Sequence, residues 1–151
     1  MAIGTNDGID KFGTQDATGT TSASVADAAF SIASDLSTWT NDDDAWRATI
    51  ILEATYSVAP TASSGVTLYA RLLNIVSTND ADVPDANFLQ TYLGRFPLND
   101  VTTAQYIAID AYLPNTKTSQ EYEFYIKNDG GQTISAGWDI HVTPKTHGPH
   151  A

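Results

Sequence analysis

Two acidic runs are the first residues in this chain whose types suggest chemistry. Asn41-Asp42-Asp43-Asp44 and Asn79-Asp80-Ala81-Asp82-Val83-Pro84-Asp85 crowd carboxylates into short stretches. Calcium takes about six to eight oxygens from carboxylates and carbonyls on a pliable loop. Asp80, Asp82 and Asp85 supply three such groups. The loop pattern with a central glycine and a closing glutamate is missing. Solvated loop carboxylates are therefore the first reading of both runs, and calcium at Asp80, Asp82 and Asp85 is the second. No other cofactor is expected.

Histidine offers little more. His141, His147 and His150 are the three in the chain, and their spacing matches no standard zinc site. His141 alternates with Ile140 and Val142, which points it away from the core. There is no cysteine, so disulfides and thiolate chemistry are excluded. No Gly-x-Ser-x-Gly elbow and no glycine-rich phosphate loop occurs. Glu121 and Glu123 share the outward face of one strand, about 7 Å apart. That spacing suits a glycosidase pair, and equally a wet strand face. The expectation is a protein that is not an enzyme.

The elements that carry these residues are strands. Along Arg47–Val58, Ala48, Ile50, Leu52, Ala54, Tyr56 and Val58 alternate with Thr49, Ile51, Glu53, Thr55 and Ser57. A period of two over this length marks a half-buried strand. Val66–Ile75, Phe88–Leu98 and Tyr106–Leu113 repeat the theme. Glu121–Lys127 and Thr133–Thr143 read as a hairpin about Asn128-Asp129-Gly130-Gly131, because Asp-Gly accepts the positive φ of a tight turn. One or two further strands fall near Phe12 and Phe30. The expected fold is all-β: a single-domain antiparallel β-sandwich of jelly-roll type with an extended N-terminal arm. The arm spans residues 1–38, the sandwich 39–144 and an irregular tail 145–151. Gly13–Ala29 is rich in Thr, Ser, Ala, Gly and Asp, with Val25 its one sizeable apolar residue. Such a segment cannot offset its own ordering entropy, so it needs a neighbour or stays loose. Residues 1–29 read as detachable from a folded domain.

The outward aromatics carry more information than the acids. Tyr69, Tyr106, Tyr112 and Tyr125 fall opposite the core in their strands, where a sandwich is normally polar. Tyrosines placed there build a sugar-stacking platform, a subunit interface, or ordinary cross-strand pairs. With Phe12, Val25 and Phe30 of the arm, they form the candidate interface. Trp39, Trp46 and Trp138 are expected in the core.

Size and charge bound the rest. The 151 residues suit one domain, and 18 acidic against 7 basic side chains give a net charge of −11. Seven scattered cations make no grip for nucleic acid, and an anionic membrane repels such a chain. Neither partner is expected. The N-terminus has no basic flank or apolar run, so a secretion signal is not expected either.

Trp39–Val58 (WTNDDDAWRATIILEATYSV), Tyr92–Leu98 (YLGRFPL) and Glu121–Pro149 (EYEFYIKNDGGQTISAGWDIHVTPKTHGP) resemble small β-sandwich structural proteins of tailed bacteriophages. The resemblance implies a capsid decoration, or cement, protein, or an accessory virion protein. It implies a place on the virion surface after synthesis in the host cytoplasm. The implied partners are the major capsid protein lattice and further copies of the chain itself. A carbohydrate-binding or receptor-binding jelly-roll module on a head or tail surface is the alternative, with a surface glycan as its ligand.

Overall fold

Alternation becomes strand where the sequence shows it most clearly. In β4 (Arg47–Ala54), Ala48, Ile50 and Leu52 are fully buried and the residues between them half-buried. In β5 (Gly65–Leu72), Val66, Leu68, Ala70 and Leu72 line the core. β8 (Gln120–Asp129) adds Tyr122, Phe124 and Ile126. The other strands are β1 (Gly8–Phe12), β2 (Asp16–Ala17), β3 (Trp39–Asn41), β6 (Tyr92–Pro97), β7 (Gln105–Tyr112) and β9 (Asp139–Pro149). The computed structural model describes residues 8–19, 23–32, 35–88 and 91–149.

The strands form two antiparallel sheets packed face to face. One runs β1–β9–β4–β7, with β2 also on β9, and the other β3–β8–β5–β6. The chain is an all-β antiparallel sandwich. Its pairs nest: β5 with β6, β4 with β7, β3 with β8, and β1 and β2 with β9. Leu52, Ile140 and Val142 of the first sheet and Leu68, Phe124 and Ile126 of the second belong to one core cluster, together with Trp39 and Trp138.

Several expectations need correction. β8 and β9 are not a hairpin, because they lie in different sheets. The turn at Asn128–Gly131 leads into a crossover, in which Ile134 bridges to Val25 and to Tyr56. The strand after it begins at Asp139 rather than Thr133. Residues 145–149 are not an irregular tail: they pair with β1, and Phe12 lies opposite Lys145. Phe88 precedes its strand and is exposed. Residues 150–151 lie outside the described residues.

The arm is built into the sandwich wherever it is described. Val25 is 2 % exposed, and its N–H and C=O both bond to Ile134. Beyond it the chain runs along the edge of β8. Ala28 N–H donates to Asn128 O, Asn128 N–H to Ala29 O, and Ser31 N–H to Ile126 O. Trp138 Nε1 donates to Ala23 O at 2.8 Å. A polar segment is ordered here because its backbone groups complete those of apolar strands. Residues 1–7, 20–22 and 33–34, which the expected arm includes, lie outside the described residues.

Buried tyrosines give the fold an alkaline limit. Burial raises the hydroxyls of Tyr56 and Tyr122 far above the usual tyrosine value. Burial, then the neighbouring Glu123 carboxylate, pushes Tyr125 up to about 12. A folded pKa above the unfolded one stabilises fully below the unfolded value and is lost as pH rises through the folded one. Titration followed at 295 nm is expected to show these three ionising only in a cooperative step above pH ~10, together with loss of far-UV circular dichroism. Smooth titration of all seven tyrosines with the dichroism intact would contradict it.

Candidate functional site

The outer face of the β1–β9–β4–β7 sheet gathers exposed aromatics and cations in rows. Antiparallel register places Phe12, Lys145, Arg47 and Tyr112 side by side across the sheet. The Lys145 ammonium lies 5.4 Å from the Phe12 ring centre. The Arg47 guanidinium lies 5.9 Å from the Trp46 ring, and Trp46 stands 5.9 Å from Tyr112 at an angle of 42°. Phe12, Trp46 and Tyr112 are 67 %, 50 % and 71 % exposed.

The next row neutralises the charge between these rings. Asp110 accepts from Lys145 Nζ at 2.5 Å and from Thr49 Oγ1 at 2.9 Å, with Arg47 at 3.8 Å. The bonded Lys145 ammonium and Thr49 hydroxyl hold the Asp110 carboxyl below the usual carboxylate range, and Arg47 adds to this. Two rows further on, Tyr106 donates to Glu53 at 3.1 Å, and His141 Nε2 meets the same carboxylate at 3.0 Å. The hydrogen bond to Glu53 raises Tyr106 above its ordinary value. Tyr106 is 66 % exposed, so this end of the sheet is also open.

The candidate interface residues therefore divide. Phe12, Tyr106 and Tyr112 stand together on one open face. Val25 is core, and Phe30 is half-buried with its ring 5.8 Å from Tyr69. Tyr69 and Tyr125 do point outward from the second sheet, but they are covered. The rings of Phe30 and Tyr92 flank Tyr69. Tyr125 is fully buried and donates to Glu123 Oε2, which also receives Arg71. An outward position in a strand is open only while nothing crosses it, and here the outer layer is filled.

Trp46 is the residue the pattern misplaces. Continuing the β4 alternation backward would bury it beside Ala48. Instead Ala45 is fully buried, because Asn41 accepts its N–H and Asn41 and Asn115 donate to its C=O. This clamp changes the phase one residue before the strand and turns the indole out. Asn41, four residues before Ala45, and Asn115, in the loop after β7, are the only sequence signal of it.

Carboxylates of the Asn79–Asp85 run are engaged by neighbouring groups of the protein. Asp80 is taken by Arg71 and by the Asn74 N–H, and Asp85 accepts from the N–H groups of Asn87 and Phe88. Among the described residues no three acidic or histidine side chains, Asp80, Asp82 and Asp85 included, converge as metal ligands. Asp42 and Asp43 border an open cleft of about 200 Å³ with Asp16 and Trp39, where the indole N–H donates to Asp16. His147 meets Asp10 at 3.3 Å, and His150 lies outside the described residues. Glu121 and Glu123 are engaged by Asn74 and Arg71 rather than facing a cleft.

No protein-family model matches the chain, and no curated protein matches its sequence. The fold and this face define a β-sandwich with exposed aromatics on the outer face of one sheet.

Proposed function

We propose that the chain is a virion structural protein of a tailed bacteriophage that decorates and stabilises the capsid by bridging major capsid subunits. The observation that carries this reading is the open face with Phe12, Trp46, Tyr112 and Tyr106. Exposed aromatics with a guanidinium beside them are the residue types enriched at protein contact surfaces. The resemblance of the chain to small phage structural proteins supplies the partner. The nested strand pairing supports the jelly-roll form of the sandwich. Net charge −11 favours a soluble, unaggregated protein until a surface captures it. Many modest contacts on a lattice then add through multivalency.

Co-sedimentation with expanded shells of its own virion tests this. The protein is expected to bind at a fixed copy number per shell. The double variant Trp46→Ala, Tyr112→Ala is expected to fold normally and lose occupancy by roughly tenfold or more, as removal of paired hot-spot residues does. Protein that ignores the shells, or a double variant that decorates them fully, would overturn the proposal.

A second reading rests on the same pair. The tilted Trp46 and Tyr112 rings stand beside Arg47 and Asp110, which offers ring stacking and hydrogen bonding to a surface glycan. A glycan screen without a hit at millimolar sugar removes this reading.

A further inference from the structure

We propose that two copies of this chain join edge to edge through β7, about a two-fold axis at Ile109, to form one continuous sheet. The inference deepens one part of the reading above, that the resemblance implies further copies of the chain as partners, and rests on that part alone.

Sheet edges expose unpaired backbone groups, and proteins that stay apart defend them. The sandwich has four edges among the described residues, at β1, β7, β3 and β6. Three are defended. β1 is five residues long and carries Asp10 and Lys11. β3 has three residues. β6 holds Gly94, Arg95 and Pro97, and its ladder with β5 is broken by a bulge at Leu68/Tyr69. β7 is eight residues, QYIAIDAY, with no proline, glycine, lysine or bulge. Its one charge, Asp110, is drawn inward by Lys145 on β9 and Arg47 on β4. On a chain of net charge −11, this edge is locally neutral.

The hydrogen-bond phase shows what the edge presents. Leu113 N–H donates to Trp46 O, so odd-numbered residues of β7 face β4. Antiparallel strands alternate, so the N–H and C=O groups of Tyr106, Ala108, Asp110 and Tyr112 point to the open side. These four residues are self-complementary. One register pairs Tyr106 with Tyr112 of the second copy and Ala108 with its Asp110, and uses all four. It places an aromatic pair at each end of the seam and sets no like charges directly opposite. A symmetric contact of this kind closes as a dimer. Ile107 and Ile109, only half-buried in the single chain, gain cover on the inner side. The two outer faces then lie on the same side, so a dimer presents its Trp46–Tyr112 pairs together to one surface.

Sedimentation of the full chain between roughly 1 and 100 µM tests the seam, with a species of twice the 16.2 kDa chain mass expected. Two charge variants at an exposed position test the register. Ala108→Asp sets carboxylates face to face at two symmetric places and is expected to weaken the dimer by about tenfold or more. Ala108→Lys faces the partner's Asp110 and is expected to keep or tighten it. Circular dichroism confirms that both fold. A monomer throughout, or equal effects of the two variants, would overturn the proposal. Shell co-sedimentation separates the two readings. A monomer that decorates shells removes the seam and leaves decoration standing, and a dimer that ignores shells does the reverse.

Discussion

Removal of residues 1–29 is expected to leave a chain that does not fold at 25 °C. The composition of Gly13–Ala29 presents this segment as detachable, and the structure shows the opposite. Val25 fills part of the core, and burying a valine stabilises by about 1.5–3 kcal/mol. The truncation also removes the C=O groups that receive Trp138 Nε1 and Asn128 Nδ2. Loss of each of these hydrogen bonds costs about 0.5–1.5 kcal/mol. β1 and β2 are lost together, which bares the edge of β9 from His141 to Pro149. The sum is about 2.5–6 kcal/mol before that edge is counted, against a total stability of about 5–15 for a domain. Circular dichroism and a urea titration of the truncated chain check this. A cooperative transition within about 1 kcal/mol of the full chain would show that the arm is dispensable to the fold. A role for the arm in docking must therefore be probed by substitution at exposed Phe12 rather than by deletion.

What the sequence discloses follows the range of the interactions. β4, β5 and β8 repeat an apolar residue at every second, inward position because each lies on the same core throughout its length, and that periodicity is local. The hairpin expected at Asn128–Gly131 fails for a nonlocal reason. Asp-Gly permits a tight turn, but whether the next strand returns to the same sheet depends on Val25 and Tyr56, which meet Ile134 from distant segments. Thr146-His147-Gly148-Pro149 has no strand character of its own and is held by β1. The candidate site was half legible. Tyr106 and Tyr112 stand where alternation puts them. Tyr69 and Tyr125 do too, yet Phe30, Tyr92 and the Arg71–Glu123 pair cover them, and no single strand records its cover. Trp46 was lost to a change of phase set by the side chains of Asn41 and Asn115.

The Asn128→Ala substitution is expected to be the most damaging single change at a polar position. Asn128 is fully buried at the junction of the arm, β8 and the crossover. Its Nδ2 donates to Val25 O at 2.9 Å and to Gln132 O at 2.8 Å, and its Oδ1 accepts from Gly130 N–H at 3.0 Å. One side chain thus fixes the arm, the start of the crossover and the turn where Gly131 takes φ +76. Alanine removes all three bonds and leaves their backbone partners inside, at a cost of about 3–5 kcal/mol. For a chain of this size that lowers Tm by roughly 8–15 °C. Asn128→Asp separates the two halves of the role. It keeps the acceptor for Gly130 but loses both donors and aims a charge at two carbonyl oxygens, so it should destabilise more at pH 7 than alanine does. Much of that difference should vanish when the carboxyl is protonated near pH 3. If alanine instead melts within about 2 °C of the parent, the arm is held by its backbone ladder and Val25 alone, and the side-chain network is secondary.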